Sequence, residues 1–91
     1  MFDTSGVESK TIQSGARTYE VTAYNHPHMI EVSACITWSD HEGDHRAMIG
    51  YTTATGQHGL TYRRLPADDY DTAEQVFAEY ITLAKLAASY A

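Results

Sequence analysis

The chain has 91 residues, with twelve acidic and six basic side chains and a formal charge of −6 at pH 7. This length suits one domain, and the negative charge repels a phosphate backbone, so we expect no nucleic-acid partner. The sequence shows neither a signal-like start nor the roughly 18 consecutive apolar residues of a membrane span, which predicts a cytoplasmic protein without membrane contact. Cys35 is the single cysteine, so an internal disulfide is excluded.

The first ten residues are polar and carry no apolar period. They predict a flexible N-terminal arm at residues 1–10, followed by a single domain at residues 11–91. Residues 10–13 could add a short edge strand through Ile12, although Ser14 and Gly15 interrupt it. The first clear strand is predicted at residues 18–24, where apolar and polar side chains alternate.

Residues 29–53 alternate in the same way on both sides of a polar loop and predict a long β-hairpin. A two-residue turn at Glu42 and Gly43 matches apolar side chains along the whole ladder. A loop at residues 25–28, which contains Pro27, connects this hairpin to the strand before it. The expected cross-strand pairs are Ala23 with Ile30, Val21 with Val32, Tyr19 with Ala34, Trp38 with Ala47, Ile36 with Ile49, Ala34 with Tyr51 and Val32 with Thr53.

Two further elements complete the predicted fold. Gly56 suits a type II′ turn and predicts a fourth strand at residues 59–65, in which Leu60 and Tyr62 face Thr53 and Tyr51. An N-cap aspartate, Asp71, followed three residues later by a glutamate predicts a helix that runs to about residue 90. The sequence therefore predicts an α+β fold, a four-stranded antiparallel β-meander with one C-terminal α-helix packed across one face.

The predicted helix carries more apolar surface than one sheet face covers. Its sheet-packing side chains are Ala73, Val76, Phe77, Tyr80, Ala84 and Ala87. We interpret the surplus as a homodimer interface between two copies of the helix. The candidate interface residues are Ile81, Leu83, Leu86 and Tyr90. The alternative is that the N-terminal arm folds back over this surface.

The string His-Glu-Gly-Asp-His at residues 41–45 matches the His-Glu-x-x-His pattern of zinc peptidases. That chemistry needs a helix, because only helical spacing brings both imidazoles to one ion. Here strands flank the string and its residues disfavour a helix, so we predict a turn in which Asp40 faces His45 and His41 faces Asp44. His41 and His45 are weak candidates for a metal contact, and we predict no catalytic residue and no cofactor.

Three other sets of side chains have competing interpretations. His26, His28 and His58 lie in predicted turns at one end of the sheet, either as solvated turn residues or as a three-histidine site. Cys35 lacks a neighbouring histidine and is expected to pack. The acidic residues around the helix start are candidates for binding a partner, either as a capped helix end or as an imitation of phosphates that occupies a basic groove. They are Asp68, Asp69, Asp71 and Glu74.

Three function classes follow from these patterns. The first hypothesis is a small non-enzymatic protein-interaction module, homodimeric through its helix, of the kind that phages or mobile elements use to bind or inhibit a host macromolecule. The second is a metal-binding or zinc-dependent hydrolase site built on His41, Glu42 and His45. The third, a nucleic-acid binder on the sheet, is disfavoured by the acidic charge.

Overall fold

The computed structural model describes residues 7–90. Within these residues, seven strands precede one helix. They are β1 (Val7–Ser14), β2 (Arg17–Asn25), β3 (Met29–Asp40), β4 (Gly43–Met48), β5 (Gly50–Thr52), β6 (His58–Leu60), β7 (Tyr62–Pro66) and α1 (Tyr70–Ser89).

The strands form one five-stranded antiparallel sheet and one short hairpin. In the large sheet the order is β1-β2-β3-β4, and β7 also pairs with β3. The strands β5 and β6 pair only with each other within the described residues. The predicted fold class, an antiparallel meander with one C-terminal helix on one face, is confirmed.

The sheet begins earlier than the alternation of side chains indicates. Residues 7–10, which the sequence assigns to a flexible arm, form the first half of β1, and the rest of that arm lies outside the described residues. The interruption expected at Ser14 and Gly15 is instead a two-residue hairpin turn, since Ser14 pairs with Arg17. Gly15 has φ +60° while Ala16 does not have positive φ, which is the type II′ pattern that joins twisted strands well.

The pairing of β2 with β3 differs from the prediction by two residues. Val21 lies opposite Ala34 rather than Val32, and Tyr19 lies opposite Ile36. Because side chains alternate with period two, this shift leaves every apolar residue on the same face. The apolar pattern therefore predicts the correct face of both strands but cannot distinguish these two registers.

The β3–β4 hairpin is shifted by two residues as well, with Trp38 opposite His45 and Ile36 opposite Ala47. The turn consists of His41 and Glu42, because Asp40 pairs with Gly43. The Glu42 N–H donates to Asp40 Oδ1 at 2.8 Å, and Gly43 takes φ +116° just after the turn. An aspartate that binds the backbone two residues on stabilises such a turn, so local hydrogen bonding decides between registers.

The main departure from the predicted meander lies where β3 exchanges neighbours. At Ala34 the backbone bonds to two segments at once: Ile49 N–H donates to Ala34 O, and Ala34 N–H donates to Thr61 O. The Thr61 side chain is fully buried and donates to the carbonyl oxygens of Ala34 and Ile49 at 2.7 and 3.0 Å. Beyond this junction β7 pairs with β3, so the predicted pairs of Ala34 with Tyr51 and Val32 with Thr53 are wrong.

The hairpin between β5 and β6 also differs in register. Tyr51 lies opposite Gly59 and Gly50 opposite Leu60, so the predicted pairs of Tyr51 with Tyr62 and Thr53 with Leu60 are wrong. A five-residue connection replaces the expected two-residue turn, with Thr53 N–H donating to Gln57 O at 2.8 Å. The observed register differs from the predicted one by three residues. Because side chains alternate with period two, an odd difference moves each side chain of the strand to the other face of the sheet.

The N-cap of the helix lies two residues before the predicted one. Asp69 caps it, because the Thr72 N–H donates to Asp69 Oδ1 at 3.2 Å, and Asp71 lies in the first turn. The predicted core residues Ala73, Val76, Phe77, Tyr80 and Ala84 are buried, while Ala87 is half-buried. They pack on one side of the sheet, which we call the core face. No described helix has both the length and the apolar character that crossing a membrane requires.

Candidate functional site

The sheet has a second side, which we call the outer face, and α1 does not cover it. Its side chains come from the positions that alternate with the core residues. The exposed members that carry charge or an aromatic ring are Glu20, Tyr24, Asp44, Arg46, Tyr62 and Arg64. Antiparallel sheets in globular proteins often have one packed and one solvated face. A solvated face with tyrosine and arginine side chains has the composition that protein interfaces favour.

Five side chains at one end of the outer face form a connected group, which we call the tyrosine–arginine cluster. Its members are Tyr24, His26, Glu31, Tyr62 and Arg64. Tyr24 lies opposite Glu31 across β2 and β3, and Glu31 lies opposite Arg64 across β3 and β7. The His26 Nε2 atom is 3.2 Å from Glu31 Oε1, and the His26 and Tyr24 rings have centroids 4.1 Å apart.

The arginine of this cluster is held in place by its neighbours. The Arg64 Nε–H donates to the Tyr62 hydroxyl at 2.8 Å, and the guanidinium carbon lies 5.8 Å from the Tyr62 ring centroid. The hydrogen bond to Tyr62 and the charge of Glu31 raise the pKa of Arg64 above its ordinary value. Tyr24 and Tyr62 keep 44% and 39% of their surface exposed. The cluster therefore presents two aromatic rings and a permanent positive charge to solvent.

The centre of the outer face is packed more tightly. Cys35 is only 5% exposed, because Met48 and Arg46 lie over it. Its sulfur is 3.5 Å from the Met48 sulfur and accepts a hydrogen bond from Arg46 Nη2 at 3.4 Å. This hydrogen bond raises the pKa of Arg46. The prediction that Cys35 serves packing agrees with this burial, since a covered sulfur is poorly placed to act as a nucleophile.

The tip of the β3–β4 hairpin carries a second group of polar side chains. Asp40 Oδ1 is 2.9 Å from His45 Nε2, and the His45 ring stacks on Trp38 with centroids 5.2 Å apart. The predicted contact of Asp40 with His45 is thus present, although the two residues do not face each other in the ladder. His41 does not pair with Asp44. Its side chain is 88% exposed, and its Nε2 atom lies 3.8 Å from Glu42 Oε1. Asp44 instead accepts a hydrogen bond from Ser39.

At this tip the structure brings together a different set of potential metal ligands from the predicted one. Within residues 7–90, one group of three potential ligand side chains lies close together: Asp40, Glu42 and His45, with ligand atoms within 4.8 Å of one another. His41 is not a member. The string at residues 41–45 forms a turn followed by a strand, so it lacks the helical geometry of a zinc peptidase. His26, His28 and His58 do not form such a group among the described residues, and His58 Nδ1 lies 3.1 Å from Thr52 Oγ1.

An open cleft of about 560 Å³ lies beside the hairpin tip. Its walls include Thr18, Thr37, Trp38, Ser39, His45 and Arg46. The cleft has the volume of a small-molecule site, but it is open rather than enclosed, and its walls are a mixture of polar and apolar surface. It suits a side chain of another protein better than a buried ligand.

The predicted interface residues of the helix differ in exposure. Ile81 and Leu83 are half-buried against the core, whereas Leu86 and Tyr90 keep 51% and 83% of their surface exposed. Leu86 and Tyr90 are four positions apart, so they share one side of the last helical turns. The helix interface stays a prediction.

The acidic candidates likewise separate into two kinds. Asp68 and Asp71 are exposed. Asp69 is committed to the helix N-terminus, and Glu74 is half-buried and lies beside β1. The acidic surface that remains free of a structural role is smaller than the sequence suggests. Its role in binding a partner stays a prediction.

The tyrosine–arginine cluster is not predicted from the sequence, because the predicted pairing of the fourth strand assigns Tyr62 to the core. The observed strand has the opposite faces: Leu65 is 6% exposed and pairs with Ile30, while Tyr62 is exposed. One signal was available. Leu65 and Ile30 are both apolar; Leu65 directly precedes Pro66, and Ile30 follows the turn that contains Pro27, which favours their pairing.

We compared the chain with protein-family models, with curated proteins and with solved structures, and none of them matches it.

Proposed function

We propose that the chain is a non-enzymatic protein-interaction module that binds a partner protein through the outer face of its sheet. The observation that carries this proposal is the tyrosine–arginine cluster on a face that α1 leaves uncovered. Tyrosine and arginine dominate the binding energy of many interfaces, because each combines a large contact area with a directed polar group. The cluster is also pre-organised by internal contacts, which lowers the entropy cost of binding.

The residues on this face indicate which chemical groups the partner surface carries. The cluster offers Arg64 and His26 as donors and Glu31 as an acceptor, so a complementary surface carries both charge signs around a central apolar or aromatic group. The open cleft at the other end, beside Trp38, gives such a surface a second point of attachment. The proposed partner is another protein in the same cell, which this chain binds or inhibits.

A photo-crosslinking experiment tests this proposal. A photoreactive amino acid replaces Tyr62 in one variant and Leu86 in a second, and crosslinked proteins are identified by mass spectrometry. The captured protein is then purified, and its affinity for the native chain, Tyr62→Ala and Leu86→Ala is measured by calorimetry. We expect Tyr62→Ala to weaken binding by about tenfold or more, as a hot-spot residue does.

Leu86→Ala is the matched control, since Leu86 is an exposed apolar residue on the helix side of the molecule. We expect it to leave the affinity unchanged. The reverse result, in which Leu86→Ala weakens binding and Tyr62→Ala does not, contradicts the outer face and favours the helix surface.

A second candidate function is metal binding at the hairpin tip, favoured by the convergence of Asp40, Glu42 and His45. Two carboxylates and one imidazole suit a borderline divalent ion such as zinc, though a stable zinc site usually has a fourth ligand. Trp38 reports on this site, because it stacks on His45 and is the single tryptophan. Zinc titration should change Trp38 fluorescence in the native chain and in His41→Ala, but not in His45→Ala.

A further inference from the structure

The edge of the large sheet at β1 is unpaired within the described residues. β1 pairs with β2 on one side, and no described strand lies on the other. Ser14 and Arg17 close a two-residue turn, so their backbone groups bond to each other. By alternation along the strand, the backbone N–H and C=O groups of Ser9, Thr11 and Gln13 face away from β2. Such an edge is a template for another strand.

The side chains along this edge carry opposite charges at neighbouring positions of one face. Glu8 pairs with Ala23 and Lys10 with Val21, which places both on the core-face side of the sheet. Both are exposed. A groove of about 330 Å³ runs beside them, between β1 and the helix residues Phe77 and Ile81. The edge therefore combines free backbone groups, a pair of charges and an apolar recess.

We propose that a second copy of this chain pairs with β1 in antiparallel orientation, so that the two large sheets form one continuous sheet in a symmetric dimer. A twofold axis perpendicular to the sheet keeps both helices on the same side. Backbone groups of the two copies bond only between outward-facing residues, which by the same alternation are Val7, Ser9, Thr11 and Gln13. We require a register in which at least three of these four residues find a partner. This restricts the dimer to registers centred on Ser9, Lys10 or Thr11.

Charge selects among these registers. Centring on Lys10 places two lysines directly opposite each other, which is unfavourable, and centring on Thr11 places Lys10 opposite Ile12. Centring on Ser9 places Glu8 of each copy opposite Lys10 of the other, giving two attractive pairs at positions that are not hydrogen-bonded and so lie close together. The half-buried Glu74 lines the same groove and adds negative charge near the incoming lysine.

This dimer accounts for part of the surplus apolar surface of the helix. The second copy lays its β1 side chains beside the groove, next to Phe77 and Ile81. Ile81 thereby becomes part of the dimer surface. Leu86 and Tyr90 belong to the other end of the helix, where Ser14 donates to Ala88 O, and the proposed dimer does not need them.

The first experiment measures subunit count by analytical ultracentrifugation over micromolar to millimolar concentrations. We expect a monomer–dimer equilibrium for the native chain. Ser9→Pro removes an N–H that faces away from β2, so it leaves the β1–β2 ladder intact while blocking the new one. We expect a monomer with unchanged circular dichroism. A native chain that stays monomeric at every concentration overturns the proposal.

Charge reversal tests the register without risk to the fold. Lys10→Glu alone and Glu8→Lys alone each place like charges opposite each other twice, so each should raise the dimer Kd by about tenfold. The double variant restores opposite pairs and should return the Kd to near the native value. The matched controls are Lys85→Glu and Glu79→Lys, which make the same charge changes at exposed positions of α1.

Two outcomes contradict the proposal in this series. One is a double variant that dimerises no better than either single variant, which excludes the register centred on Ser9. The other is a dimer that ignores all β1 variants but dissociates with Leu86→Asp, which transfers the interface to the helix. Binding of a partner to the outer face is a separate property, since Tyr62→Ala should leave the dimer Kd unchanged.

Discussion

The core face and the outer face of the large sheet come from the same strands but obey different constraints. Neighbouring residues of β3 show this directly: Ile30 is 1% exposed and packs in the core, whereas Glu31 belongs to the tyrosine–arginine cluster. The core face is defined by volume and apolarity, which the sequence repeats along each strand. The outer face is defined by cross-strand contacts, which depend on register. Function is therefore expected on the face that the apolar pattern describes least.

The largest expected effect comes from substituting one residue on each face. Ile30→Ala should lower the free energy of unfolding by about 2–5 kcal/mol, because it removes buried methyl groups and leaves a cavity. Glu31→Ala, one position along, should cost less than about 1 kcal/mol, since its ion pair is partly exposed. Urea unfolding followed by circular dichroism measures both. Equal losses would mean that the two faces do not differ in stability.

The helix that creates the core face should depend on Asp69 more than on Asp71. Asp69→Ala removes the N-cap contact to Thr72 and should lower the free energy of unfolding by about 1 kcal/mol. Asp71→Ala removes an exposed charge in the first turn and should cost about half of that or less. Thermal unfolding of the two variants compares them. A larger loss for Asp71→Ala would support the N-cap predicted from the sequence instead.

The point at which β3 changes its partner from β4 to β7 depends on Thr61. Thr61→Val keeps the shape but removes the buried hydroxyl, and should lower the free energy of unfolding by about 0.5–1.5 kcal/mol. Thr61→Ser keeps the hydroxyl and tests whether the hydrogen bond rather than the methyl group matters. We expect Thr61→Ser to retain the bond and to lose packing alone. Both are measured by urea unfolding, with hydrogen exchange at Ala34 as a local readout.

The smallest expected effect is a loss of folding stability at alkaline pH, caused by a tyrosine of the core face. Burial raises the pKa of the Tyr80 hydroxyl above 10.0, with a further contribution from the neighbouring Tyr51 hydroxyl. A folded-state pKa above the unfolded value means that the stabilisation is complete below pH 10 and is lost as the pH rises through the folded pKa. Stability should therefore fall above pH 10. Urea unfolding at increasing pH should show a smaller fall for Tyr80→Phe.

The outer-face variant Tyr62→Phe serves as the control for this titration. Tyr62 is partly exposed, and its hydroxyl accepts a hydrogen bond from Arg64. We expect the alkaline loss of stability to persist in this variant, because Tyr80 is unchanged. A loss that disappears in Tyr62→Phe and persists in Tyr80→Phe would contradict the assignment to the core tyrosine.

The hairpins show how far local patterns reach. For β2, β3 and β4, the apolar alternation predicts the correct strands and faces but places the register two residues away, since both registers bury the same side chains. For the predicted fourth strand, the pairing of β6 with β5 differs from the predicted register by three residues. β7 pairs with β3 instead, so that Leu65 rather than Tyr62 lies on the core face. The tyrosine–arginine cluster was missed for this reason alone.

The hairpin tip shows the complementary case, in which local chemistry suffices for part of a site. The contact of Asp40 with His45 and the absence of a helix at residues 41–45 follow from turn-forming residues. The turn-forming residues do not predict that Asp40 takes the place of His41 among the potential ligands. That exchange depends on which two residues occupy the turn.

The sequence by itself determined the fold class, the faces of β2 to β4 and the core face of the helix, because these depend on side-chain period and composition that any correct fold must satisfy. The tertiary structure decided the registers, the strand β1 and the transfer of β3 from β4 to β7. Two of these features depend on local hydrogen bonds, at the Gly15 turn and at the Asp40 turn. The third depends on the bond from Thr61 to Ala34, residues that are far apart in the chain. The pattern of apolar residues carries no information about bonds that bury no additional apolar surface.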